Sequence, residues 1–298
     1  MRKYFILFAG LFAALGAQAS TVDVAASYIY SSDYNQARAG ASIPLGTNMR
    51  IGAEGKYVAD KLSVENGGLK NPVYSLYLPL QLNLESAQLA LTPFYYFKNK
   101  SDLPLFQDAS AYGISAQVTM NLVKDEVEEL YTQAYLEAAY ARQKGTVQED
   151  KTDAWDNQYY DQAAFTLGLR QNFYNAFSFQ AGATVYQYPD GISHVKNFRG
   201  ILDQKDLGFA QSYDVSRALG KYVASARITR MWQENHSSLY AGYHYAEFYT
   251  ADPQHSILVG NTFYLLRQVY VDMAYNHLQT SHSKNKRDVF FINLNIAF

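Results

Sequence analysis

Residues 74–84 read Tyr74-Ser75-Leu76-Tyr77-Leu78-Pro79-Leu80-Gln81-Leu82-Asn83-Leu84. Tyr74, Leu76, Leu78, Leu80, Leu82 and Leu84 fall on one face of an extended chain. Ser75, Tyr77, Pro79, Gln81 and Asn83 fall on the other. A period of two is the period of a strand, and a slip of one residue would exchange the two faces completely. The stretch therefore specifies a strand with one greasy and one polar side.

The same pattern returns along the chain. Tyr112, Ile114, Ala116, Val118, Met120 and Leu122 oppose Gly113, Ser115, Gln117, Thr119 and Asn121. Residues 22–30, 177–185 and 269–276 repeat it. The face opposite the leucines is rich in Gly, Ala, Ser and Thr and poor in Lys and Glu. A soluble sandwich or lipocalin-like barrel would wet its outer face with charge. Small polar residues suit a lumen, so the apolar face is assigned to lipid. Backbone groups in lipid need internal partners, which only a closed sheet provides here. The expected fold is all-β: a transmembrane antiparallel up-and-down β-barrel of 16 strands, with 14 as the alternative. The sixteenth strand, Ile192–Leu202, is placed after a turn at Pro189-Asp190-Gly191.

The chain has 298 residues, no Cys, 27 Tyr and 17 Phe against 7 Pro. The absence of cysteine excludes disulfides and thiolate chemistry. Tyrosine suits sheets and membrane–water boundaries. Arg2 and Lys3 precede an apolar run, Tyr4–Leu15, and Ala17-Gln18-Ala19 follows it. That order reads as a signal peptide over residues 1–19. Residues 20–298 would then be a single barrel domain. The mature charge, 23 basic against 27 acidic residues, argues against a nucleic-acid partner.

Unequal polar gaps orient the barrel. Long ones lie at Asp60–Asn71, Lys98–Ser110, Gln143–Gln158 and Gln279–Lys286, and short ones at Leu45–Asn48, Glu85–Ala87, Asn172–Asn175 and Arg267–Gln268. Long loops face outward and short turns face the periplasm in such barrels.

At the end of the chain Phe290, Ile292, Leu294, Ile296 and Phe298 share one face. This stretch resembles the C-terminal β-signal of bacterial outer-membrane proteins. The resemblance implies the outer membrane, contact with its lipid and lipopolysaccharide, and transient recognition of residues 290–298 by the barrel assembly machinery. It covers about nine residues and names no family within that class.

Extending the alternation puts Asp23, Arg38, Arg50, Glu54, Lys56, Glu137, Arg170, Asp214, Arg227 and Asp272 on the inner face. Lipid-facing Arg or Lys at mid-membrane would cost about 2–4 kcal/mol. Opposed charges there set a transverse field on solutes, or else pair and stiffen the wall. Tyr77, Phe94, Tyr96, Tyr135, Tyr186, Tyr240 and Tyr270 also point inward by parity, and rings can stack on sugars. The expected activity is passive, porin-like diffusion of small hydrophilic solutes, with saccharides as one class. No cofactor, metal or catalysis is expected. The alternative is an interaction barrel using outer loops 60–71, 99–110 and 143–158. A weaker reading is a lipid hydrolase, because His236-Ser237-Ser238 has His-x-Ser spacing, although the supporting Asn would fall at Thr250. The six histidines lack zinc spacing and read as solvated.

Overall fold

The computed structural model describes residues 22–31, 34–64, 67–100, 106–125, 130–148, 155–173, 176–191, 219–232, 237–249, 252–266, 268–281 and 286–297. The signal peptide expected over residues 1–19 lies outside them, as do Asp214 and Phe298. Among the described residues fifteen strands follow one another: β1 Asp23–Tyr30, β2 Tyr34–Leu45, β3 Met49–Val64, β4 Gly67–Tyr77, β5 Leu80–Asn83, β6 Ala87–Lys100, β7 Phe106–Asp125 and β8 Leu130–Gln148. They continue as β9 Trp155–Phe173, β10 Phe177–Gln187, β11 Gly220–Trp232, β12 Ser237–Phe248, β13 Gln254–Leu266, β14 Val269–Thr280 and β15 Lys286–Ala297. Each pairs antiparallel with its neighbours, and β15 closes on β1 from Asp23↔Ala297 to Tyr30↔Phe290. The β-signal stretch is thus the closing strand, and closure leaves no sheet edge to lipid.

β4 and β5 are one stave of the wall. Both pair with β3 on one side and β6 on the other, and the parity of Glu54↔Tyr77 carries through to Arg50↔Gln81. Pro79 has no N–H to give the ladder, which interrupts the strand. The wall stays bonded through Gly52 N–H to the Pro79 carbonyl at 2.8 Å and Leu78 N–H to the Pro93 carbonyl at 3.0 Å. The barrel therefore has fourteen staves.

That corrects the expectation of sixteen. Ile192–Leu202 lies outside the described residues. The described ring holds no further stave between β10 and β11, which pair directly with each other over Phe177↔Arg230 to Val185↔Tyr222 and each have their second neighbour elsewhere. The turn at 189–191 is present, with Gly191 at φ +80° and its N–H bonded to the Tyr188 carbonyl at 3.0 Å.

Most of the stretches expected as long outer loops are strand. β3 and β4 pair as far as Val64↔Gly67, and β8 and β9 as far as Gln148↔Trp155. The ladder bonds backbone to backbone and is indifferent to side-chain polarity, so polar composition ended the sequence reading too early. β7, β8 and β9 reach 20, 19 and 19 residues, about twice what a tilted strand needs to cross a bilayer.

The faces have the expected sense. Leu78, Leu80, Leu82, Leu84, Tyr112, Ile114, Leu122, Phe177, Phe179 and Val185 are all exposed on the outside. Leu167 is 61% exposed while its neighbour Thr166, turned inward, is 7% exposed. Aromatic residues gather at both ends of this outer face. Phe173, Phe177 and Phe263 stand at the end that carries both termini. Tyr159 stands toward the other, and Tyr243 and Tyr275 lie between it and the middle of the wall. There Arg142 and Lys144 lie over the Tyr159 ring at 5.6 and 5.7 Å, and His277 pairs with Asp288 at 2.8 Å. Rings with a polar tip favour such boundaries.

Candidate functional site

Register fixes what the inner wall carries. Along each strand alternate residues face inward, and paired inward residues run in rows across the wall. Arg38, Arg50, Glu54, Lys56, Glu137, Arg170, Arg227, Asp272, Tyr96, Tyr135, Tyr186 and Tyr270 all hold inward register. Asp214 lies outside the described residues.

The structure gathers Arg38, Arg50, Glu54, Lys56, Arg227, Asp272, Tyr96 and Tyr186 into three groups. On β1–β3, Arg38 Nε meets Glu54 Oε1 at 2.5 Å, and Arg50 pairs with Asp23 while donating to Ser42 Oγ at 3.2 Å. Lys56 is buried beside them in the same face. These pairs tie three adjacent strands together next to the closing seam. The pairs are partly exposed, so each adds little to stability.

On β11–β14 the chemistry is tighter. The Arg227 guanidinium lies 3.6 Å from the centre of the Tyr240 ring, and its Nε donates to Thr229 Oγ1 at 3.3 Å. The Tyr240 hydroxyl donates to Asp272 Oδ1 at 2.8 Å, and Thr262 Oγ1 donates to the same oxygen at 3.1 Å. A cation over a desolvated ring is worth about 2 kcal/mol, and Tyr240 is 1% exposed. Parity in the sequence places Arg227, Asp272 and Tyr240 on one face without joining them, and it does not single out Thr262.

The third group is aromatic. Phe94, Tyr186, Val223 and Phe248 are buried together, with Tyr77, Tyr96 and Tyr188 packed against them. Tyr77 and Tyr96 share a hydrogen bond at 2.7 Å, and the Tyr188 hydroxyl donates to the Gly220 carbonyl at 2.7 Å.

Inward rings are seated on glycines of neighbouring strands. A Cβ on Gly168 would fall inside the Tyr135 ring, and one on Gly182 would meet the Tyr135 hydroxyl at 2.6 Å. Tyr240 covers Gly260 in the same way, and Phe94 covers Gly113. A ring over glycine lies flat on the wall, so it paves the lumen instead of projecting into it. Tyr135 on β8 also packs against the cluster of Tyr240, Leu258 and Ala274 on β12–β14, together with Phe291 of β15. Side chains from well-separated parts of the wall therefore meet, and the lumen is narrow at this level.

His244 departs from its reading as a solvated residue. It holds inward register opposite Ser225 and Ser256 and is 2% exposed. His255 and His277 face outward, and His194, His236 and His282 lie outside the described residues. Ser238 sits at the start of β12 opposite Met231 and Thr262. His236 and Thr250 lie outside the described residues. Among the described residues no three His, Asp or Glu side chains group as metal ligands would.

No family model matches the chain, and no curated protein matches it. Solved structures do. CdiB from Acinetobacter baumannii aligns with a TM-score of 0.54 at 10% identity over 93% of this chain, which spans 60% of that longer protein. The toluene transporter TodX of Pseudomonas putida aligns at 0.49 and 11% identity, covering 94% of this chain and 89% of TodX. The porin NanC aligns at 0.44 and 10% identity, covering 92% and 98%. Identities this low speak to fold and not to cargo. The likeness to CdiB shows the fold alone, a β-barrel, and in this chain the closed ring has an apolar outer face and a polar inner one.

Proposed function

We propose that the protein is a passive channel of the bacterial outer membrane for small hydrophilic solutes. One observation carries the reading: the closed ring of fourteen staves turns its apolar side chains out and lines its inside with paired charges, hydroxyls, amides and flat rings. A barrel of this size leaves a channel unless loops or side chains fill it. The contact of Tyr135 with the Tyr240 cluster supports a narrow, selective passage over a wide sieve. Rings that lie flat beside carboxylates and guanidiniums also suit saccharides, since ring faces stack on sugars and charges take their hydroxyls. In this reading residues 1–19 are an export signal and residues 290–298 guide assembly.

The same cross-wall contact favours a second reading, a closed barrel that stabilises the surface or displays its outer end. Purified barrel in planar bilayers separates the two. Discrete conductance steps of stable size are expected. Their absence over a wide range of salt would leave the closed-barrel reading.

A further inference from the structure

The outer face of β13 carries a residue that lipid does not suit. Asn261 stands in outward register, bracketed along its strand by the exposed Val259 and Phe263. Across the sheet it is flanked by Leu239 on β12 and Met273 on β14, both exposed. Its side-chain oxygen Oδ1 is shut off from solvent, and no group among the described residues donates to it. An unpaired amide is costly in hydrocarbon, because acyl chains neither donate nor accept.

The same place is a groove. A cavity of about 500 Å³ opens on the outer face over β12–β15 and β1, and Asn261 lines it. Asn261 shares one paired row with Met273, Ile292 and Tyr28. Tyr275, Phe290 and Tyr30 form the next row toward the outer end, with the Tyr275 and Phe290 rings 5.4 Å apart. Phe290 and Tyr30 are more than half exposed. Large apolar side chains thus stand around the amide.

We propose that this groove is the contact between two copies of this chain, paired about a two-fold axis that runs along the membrane normal near Asn261. The inference rests on the reading of the outer face as lipid-facing and is independent of conduction. Copies inserted in one direction hold Asn261 at one depth, and a two-fold axis sets residues beside it opposite their own counterparts. An amide carries both an acceptor oxygen and a donor NH2. Two facing asparagines therefore satisfy each other, Nδ2 of each donating to Oδ1 of the other. The terminal torsion of asparagine is soft and roughly two-fold, so the amide turns from the groove floor to that partner at little cost. Apolar faces alone gain little by leaving lipid for protein, and polar side chains act as the glue. An acyl chain in the groove would leave the amide unpaired.

The test uses the full barrel. Sedimentation equilibrium in micelles should give a dimer. Asn261→Leu should raise its dissociation constant roughly tenfold, the loss expected for two amide hydrogen bonds. Asn261→Gln keeps the amide and should stay closer to wild type, a rescue that loss of shape alone would not give. The chain has no cysteine, so Asn261→Cys supplies a unique thiol. In vesicles under mild oxidant it should cross-link to its own copy, and Leu167→Cys on the outer face of β9 should not. A monomer at every concentration, a trimer, or a dimer as tight in Asn261→Leu as in wild type overturns the proposal. So does a cysteine at 261 that stays uncross-linked. If that thiol resists a water-soluble reagent, the lipid-facing reading stands and the dimer alone falls. If it reacts freely, both fall.

Discussion

Gly168→Ala tests the seating of inward rings most sharply. The new methyl would fall inside the Tyr135 ring, which has to retreat by roughly 1 Å or more to reach ordinary contact. Retreat is obstructed, because the Tyr135 hydroxyl already lies over Gly182 and the ring packs against the Tyr240 cluster. Overpacking of this kind costs about 1–3 kcal/mol. Against it stands the gain from a stiffer unfolded chain, about 0.4–1 kcal/mol for Gly to Ala. The net expectation is a loss of about 1–2 kcal/mol. With Tyr135→Ala the obstacle is gone, and the same substitution should become neutral or stabilising. Urea unfolding in micelles, followed by the fluorescence of Trp155 and Trp232, gives all four corners of the cycle. An equal cost for Gly168→Ala with and without the Tyr135 ring would refute the seating argument.

Other substitutions probe the remaining parts. Val259→Arg puts a charge on the outer face near the middle of β13 and should cost about 2–4 kcal/mol when folding into vesicles is measured. Tyr240→Phe removes a donor to Asp272 and should lower the urea midpoint by the equivalent of about 1.5–3 kcal/mol. Glu54→Gln loosens a half-exposed pair with Arg38 and should cost under about 1 kcal/mol by the same assay. Phe298→Ala should reduce the amount of barrel assembled in cells while purified protein refolds in detergent with an unchanged midpoint, as expected if that residue is read during assembly.

The wall was legible because alternation is local. Residues 74–84 reveal their two faces without reference to any neighbour, and register then repeats that choice around the ring. The strand number was not local. It depended on whether Ile192–Leu202 lies between β10 and β11, and the direct pairing of Gln180 with Arg227 answers that only in three dimensions. Pro79 also misleads a reader of sequence, since it breaks a strand without breaking the stave. The charged residues could be sorted to the inner face by parity, but their partners sit on other strands. Nothing in the sequence joins Arg227 to Tyr240 or Tyr135 to Gly168, because each contact spans a register that must first be known.

The central claim is the direction of the two faces, and adjacent residues test it. The chain has no cysteine, so Leu169→Cys and Arg170→Cys each supply a unique label on opposite sides of β9. In vesicles, a dye on residue 169 should be quenched by brominated lipid and protected from a water-soluble thiol reagent. Residue 170 should react with that reagent and escape the lipid quencher. The reverse pattern would turn the barrel inside out and contradict the account.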